Sequence, residues 1–130
     1  MRISRSVGYG LLAVGYIGQE KDKSIILSNA ISEKYKIPVE YLLKIMQSLV
    51  RANVLRSKRG PRGGFSLARP LAKITMLDVI EAVDGPMNVS LGLSENAPRD
   101  KFAQKTEAAY DKVIAGTRAA YAKVKMSDLV

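Results

Sequence analysis

The chain of 130 residues contains no cysteine and no histidine. Without cysteine no disulfide can form, so redox chemistry neither requires nor opposes a reducing compartment. Together the two absences remove the commonest general base, the thiol nucleophile and the soft-metal ligands. No serine stands three residues before a lysine, as a Ser-Lys acylating pair needs, and no Walker-type glycine-lysine-serine ending is present. Catalysis, a bound metal and a bound cofactor are accordingly not expected. Long apolar runs are missing too, since none approaches the roughly 18 residues that cross a bilayer. The N-terminal MRISRSVGYGLLAVGYIGQE begins charged and passes through LLAVGYIG, but its apolar positions continue at helical spacing into polar sequence without a small-residue cleavage site. It reads as a helix and not as a signal peptide, and the expectation is a cytoplasmic protein with no membrane partner.

Acidic residues are scarce in one half only. Residues 1–70 hold 13 of the 21 Lys and Arg but 4 of the 12 Asp and Glu, a net +9, whereas residues 71–130 hold 8 of each kind. A solubilising charge has no reason to segregate. A field confined to one end suits phosphate binding, with a solvated basic face as the plainer alternative.

Periodicity supplies the elements. Residues 4–19 place Val7, Leu11, Leu12, Val14 and Ile17 at the spacing of one long amphipathic helix, which EKDKS ends. Residues 25–27 are a short β-branched run, and 28–35 a short helix with Ala30, Ile31 and Tyr35 facing in. Pro38, with fixed φ and no N–H, suits the first turn of a third helix over 38–52, whose buried side takes Tyr41, Leu42, Ile45, Met46 and Leu49. Two helices separated by so short a turn make a helix-turn-helix. The stretch SKRGPRGGFSLAR, from Ser57 to Arg69, then breaks any helix with Gly and Pro, while 65–68 alternate as a half-buried strand does. It reads as the tip and return strand of a β-hairpin whose outgoing strand covers 54–57. Arg56, Lys58, Arg59 and Arg62 cluster there without an acid.

Three helices followed by a basic hairpin is the order of a winged helix, in which the third helix enters the major groove and the hairpin flanks it. A fourth helix over 74–83 is stopped by DGP, and 85–99 is loop-like. From 100 to about 124 runs a helix longer than one small core needs. Thr106, Tyr110, Val113, Thr117, Ala120 and Val124 recur on it at steps of four and three, the seam of a helix packing along another helix, and Ala108, Ala109, Ala115, Gly116, Ala119 and Ala122 would allow close approach. The expected fold class is mainly α: a winged helix-turn-helix with a small β-hairpin wing and a long C-terminal dimerisation helix. The expected division is a DNA-binding domain over 1–84, a loop over 85–99, and the dimerisation helix with its tail over 100–130.

Each candidate residue has a chemical reason. Gly60, Gly63 and Gly64 let the main chain approach a phosphate or sugar closely, Pro61 stiffens the tip, and Arg59 and Arg62 supply cations suited to a narrow minor groove. Glu40 can accept from cytosine N4 and Lys44 can reach guanine or phosphate, although the two could instead pair across one helical turn. Asp78, Glu81 and Asp84 recur at steps of three, where a hard cation or, more simply, solvent could meet them.

The segments MRISRSVGYGLLAV, IPVEYLLKIMQSLVRANVLRSKRGPRGGFSLARP, ITMLDVIEAVDGP and KMSDLV together resemble the Rrf-two family of bacterial winged-helix transcription regulators, which includes IscR, NsrR and CymR. The resemblance implies a homodimer that crosses its long helices and sets two winged helices on an inverted-repeat operator; a repressor is expected, with activation left open. Carried over by position, it implies DNA contacts by Arg2, Ser4 and Arg5, by Ser28, by Pro38, Val39, Glu40, Tyr41 and Lys44, and by Ser57, Arg59, Gly60, Pro61, Arg62 and Gly63. Family members that hold an iron–sulfur cluster do so with three cysteines in the segment matching 85–105. That segment here is GPMNVSLGLSENAPRDKFAQK, without one, so the chain resembles a cluster-free branch. An unidentified small molecule or protein would then carry the signal, and the loop 85–99 is where a pocket for it is expected. The alternative is a winged-helix interaction module docking an acidic partner protein.

Overall fold

The computed structural model describes residues 3–20, 25–60, 64–87 and 90–130. In chain order it has helices α1 (Arg5–Gln19), α2 (Ser28–Tyr35) and α3 (Val39–Arg51), strands β1 (Leu55–Lys58) and β2 (Gly64–Leu67), then α4 (Met76–Asp84), one-turn α5 (Leu93–Asn96) and α6 (Lys101–Ala122). Short 3-10 turns stand at Leu71–Lys73 and Met126–Leu129. This is the expected winged helix-turn-helix.

Helix α1 buries Val7, Gly10, Ala13, Val14 and Ile17, steps of three and four that make one stripe. Leu12, counted among its apolar positions, lies off that stripe and is 38% exposed. Between α2 and α3 the chain turns through Lys36 in the left-handed region (φ 55°). The Ile37 amide donates to the Ser32 carbonyl, and the Ser32 hydroxyl donates back to the Ile37 carbonyl at 2.5 Å, which closes the turn. Pro38 caps α3 from just outside it, its carbonyl accepting from the Leu42 amide at 2.9 Å, where a missing N–H costs nothing. Leu42, Ile45, Met46 and Leu49 are the buried side of α3. Tyr41 is not among them: it stands 42% exposed, because one residue before Leu42 means about 100° around the helix.

Asn53, at φ 64°, reverses the chain into the hairpin. Strands β1 and β2 pair antiparallel with Leu55 opposite Leu67 and Lys58 opposite Gly64, so each strand lies one residue nearer the tip than its sequence pattern suggested. On the far side of β2, the Ile26 amide donates to the Phe65 carbonyl (2.7 Å) and the Phe65 amide to the Ile26 carbonyl (2.8 Å). The β-branched run 25–27 thus supplies a third edge to the wing. Gly64 makes this approach possible, since a Cβ there would lie 2.6 Å from the Ile26 carbonyl oxygen.

Thr75 and Asp78 form a capping box that starts α4: the Asp78 amide donates to the Thr75 hydroxyl (3.1 Å) and the Thr75 amide to the Asp78 carboxylate (2.9 Å). Asp100 caps α6 by accepting from the Ala103 amide at 2.9 Å. After α6 the tail returns to the body, with the Met76 amide donating to the Val124 carbonyl and the Met126 amide to the Ile74 carbonyl, both at 2.8 Å. Met126 joins the core that contains Val14, Leu42, Met46 and Ile74. The segment 85–99, expected as loop throughout, contains α5, whose single turn is too short to show a helical period.

The three carboxylates of α4 neither face solvent freely nor converge on a cation. Asp78 caps its helix and pairs with Arg69 at 2.9 Å. Glu81 pairs with Arg118 at 2.9 Å, and Asp84 accepts from Ser4. Each is engaged by a different partner.

Candidate nucleic-acid interface

With one side of α3 committed to the core, the other presents Glu40, Lys44, Gln47 and Arg51, all exposed. Their steps of four, three and four put them on one helical face. The expected contacts on α3 end at Lys44. Gln47 and Arg51 continue the same spacing, which was the available signal. Glu40 and Lys44 do not pair: among the described residues the ion pairs are Arg69–Asp78 and Arg118–Glu81.

The start of α1 is fastened to the start of α3. Arg5 donates from Nε to the Tyr9 hydroxyl (2.9 Å) and sets its guanidinium carbon 5.6 Å from the centre of the Tyr9 ring. Tyr9 meets Tyr41 edge to face, with ring centres 5.7 Å apart at 90°. The Tyr41 hydroxyl shares a hydrogen bond with the Ser6 hydroxyl. Ser4 is held by Asp84, which accepts from the Ser4 amide (2.9 Å) and from its hydroxyl. Ser4 and Tyr41 therefore already spend their hydroxyls on positioning α1 against α4 and α3.

In the hairpin, Arg56, Ser57, Lys58, Arg59 and Gly60 are exposed, and Gly60 adopts φ 107°. Pro38 is exposed, Val39 half-buried, and Ser28 half-buried at the first position of α2. Arg2, Pro61, Arg62 and Gly63 lie outside the described residues.

Helix α6 has two faces. Its inward one carries Ala103, buried; Glu107, which accepts from the Ser90 hydroxyl (2.9 Å) and the Ser94 amide (3.3 Å); Arg118, bidentate on Glu81; and Tyr121, packed with Val7, Ile80 and Met87. The Arg118 hydrogen bond, with help from the Met87 amide and against a desolvation cost, holds the Glu81 carboxyl below its ordinary value. Ser90 and Ser94 lower Glu107 in the same way. Of the expected seam, Val113 is 64% exposed and Ala120 exposed, while Thr106, Tyr110 and Thr117 are half-buried toward the inward face; Val124 is not on the helix, which ends at Ala122, but in the tail, where its carbonyl accepts from the Met76 amide. Thr106 and Thr117 donate their hydroxyls to the carbonyls of Phe102 and Val113, so neither needs another partner. Phe102, 77% exposed and one turn before Thr106, extends the outward apolar stripe and was not foreseen.

The sequence profile of the Rrf2 (Rrf-two) family, described as an iron-dependent transcriptional regulator, matches residues 3–130. The chain belongs to the Rrf2 family. An HTH-type transcriptional regulator of Aquifex aeolicus is 41% identical over 81 residues, 62% of this chain and 56% of that protein. BadM of Rhodopseudomonas palustris, also named as an HTH-type transcriptional regulator, is 34% identical over 100 residues, 77% of this chain and 62% of BadM. The chain thus spans little more than half the length of these relatives. Among solved structures it resembles CymR, the global cysteine regulator of Bacillus subtilis, with a TM-score of 0.78, 20% identity and 99% and 95% of the two chains covered. At that identity the likeness shows the fold. The relatives are named as regulators and not as enzymes.

Iron dependence in the family description does not fit the donors of this chain. It has neither the thiolates nor the imidazoles that hold iron–sulfur clusters. Glu81 and Glu107, flanking the corresponding segment, are both occupied by hydrogen bonds. Among the described residues no three potential ligands converge.

Proposed function

We propose that this Rrf2 chain is a sequence-specific DNA-binding regulator that acts in the cytoplasm as a homodimer, represses by covering an inverted-repeat operator, and takes its signal from a small molecule or partner protein. The observation that carries the reading is the single face of α3 with Glu40, Lys44, Gln47 and Arg51, set beside a wing whose described cations are Arg56, Lys58 and Arg59. Mixed donors and acceptors on a helix face suit base edges, and a hairpin of cations suits phosphates. The winged helix, 1–84, would read DNA, and the outward stripe of α6 would pair two copies. Two such units tied by a symmetric interface address paired half-sites whose spacing the dimer sets. Regulation without a cluster follows from the missing thiols. Gel shifts of the gene's own upstream region across a salt series, followed by footprinting, test the reading. A protected inverted repeat supports it. Salt-sensitive capture of an acidic protein, with no retardation of any duplex, would instead favour the interaction module.

A further inference from the structure

A cleft of about 410 Å³ runs between the C-terminal half of α3 and the wing. Gln47, Val50 and Arg51 line it from the helix, and Lys58, Arg59 and Phe65 from the hairpin. Of the eight residues that line it, three are cations and none is an acid. Val50 and Phe65 supply an apolar floor, half-buried and buried respectively. Arg51 is steadied by a hydrogen bond from Nη2 to the Ser48 hydroxyl (3.1 Å), which leaves its other guanidinium donors uncommitted to that contact.

DNA geometry says what belongs there. The major groove and the minor groove beside it are separated by one sugar–phosphate backbone. A protein with a helix in the first and a wing in the second must straddle that backbone. We propose that this cleft seats it, with Arg51 and Lys58 on opposite walls as phosphate contacts and the Val50–Phe65 floor against deoxyribose. The inference rests on the DNA-binding reading and deepens it, because it gives Arg51, on the face of Glu40 and Lys44 but at the far end of α3, to the backbone and not to a base edge. An apolar floor under a ring of cations suits a sugar–phosphate chain better than a bare anion, which has no surface to lay on it.

The full chain is titrated with a fluorescein-labelled random-sequence duplex across a salt series, so that sequence reading does not contribute. Each phosphate contact adds about 0.9 to the slope of log affinity against log salt. Arg51→Ala should reduce the slope magnitude by about one, Arg51→Lys should keep it, and Lys112→Ala, a lost cation exposed on α6 away from the cleft, should leave it unchanged while circular dichroism reports intact folds. Lys58→Ala reads the opposite wall by the same measure if Arg51→Ala fails to fold. A steep wild-type slope that neither Arg51→Ala nor Lys58→Ala reduces would overturn the cleft assignment and leave the DNA-binding reading standing. Wild-type protein with no salt-dependent affinity for the duplex would overturn both.

Discussion

Replacing Gly64 by alanine should destabilise the whole domain through a contact that no side chain can relieve. The added Cβ would lie 2.6 Å from the Ile26 carbonyl oxygen and 2.7 Å from Ile25 Cγ2, and the nearer of these atoms is main chain. Residue 64 also holds φ 156°, where a side chain is strained by about 1 kcal/mol or more. To make room, the 25–26 segment must leave β2, which forfeits the two main-chain hydrogen bonds between Ile26 and Phe65 at about 1 kcal/mol each. The sum is roughly 3 kcal/mol, which at about 4 °C per kcal/mol lowers the melting temperature by roughly 12 °C. Thermal melts followed by circular dichroism at fixed concentration measure it. Gly8→Ala is the contrast: its Cβ meets nothing within 4 Å inside α1, so the better helix former should raise stability by up to about 1 kcal/mol. If Gly64→Ala melts within about 0.5 kcal/mol of wild type, the 25–26 edge does not brace the wing.

Four further outcomes are expected. The Glu81 carboxyl is held below its ordinary value of 4.5, so its pairing stabilises the protein above that pH and is lost as pH falls through the lowered value. Glu81→Gln should cost about 1 kcal/mol at neutral pH and flatten that acid limb of the stability profile, and melts of both proteins from pH 7 down to pH 3 check it. Glu40→Ala should change which operators bind, with roughly 1–3 kcal/mol of discrimination moved at one base pair; equal losses on every sequence tested by gel shift would remove it from base reading. Val113→Asp with Ala120→Asp puts unpaired charge on the outward stripe of α6, so sedimentation should report monomer and specific affinity should fall toward the weak, salt-sensitive level of a lone winged helix. Iron, zinc and labile sulfide should stay far below stoichiometric levels after anaerobic purification, and visible absorbance on reconstitution would refute this.

What the sequence made legible is what local periodicity and turn chemistry control. Helix α2 falls on residues 28–35 as its apolar spacing indicates, and the hairpin follows from Gly and Pro flanking an alternating run. What stayed hidden depends on partners far along the chain. Asp78, Glu81 and Asp84 look alike as a repeated carboxylate, yet Arg69, Arg118 and Ser4 give them three separate tasks. Helix α5 could not show a period in one turn. Tyr41 counts as apolar in any stripe, but it lies about 100° round α3 from Leu42, and the Ser6 hydroxyl and the Tyr9 ring hold it at the rim of the core. Gln47 and Arg51 were visible in principle, as the continuation of the step from Glu40 to Lys44.

The hydrogen bonds that escaped the sequence join into one line through the domain. Arg118 of α6 grips Glu81 of α4, Asp84 at the end of α4 grips Ser4, and Ser6 in the first turn of α1 grips Tyr41 in the first turn of α3. Spatial continuity of this kind does not by itself transmit a signal, because coupling needs an element with two arrangements that both ends bias. Its certain effect is geometric. The long helix, fixed to α4 on its inward face while Phe102 and Val113 stand outward, cannot rotate about its axis without breaking the Glu81 pair. Any second copy held on the outward stripe would therefore have its orientation passed through polar contacts to the exposed face of α3 that carries Glu40 and Lys44. The separation of the exposed α3 faces in two such copies would then be set by α6 and its anchor on α4.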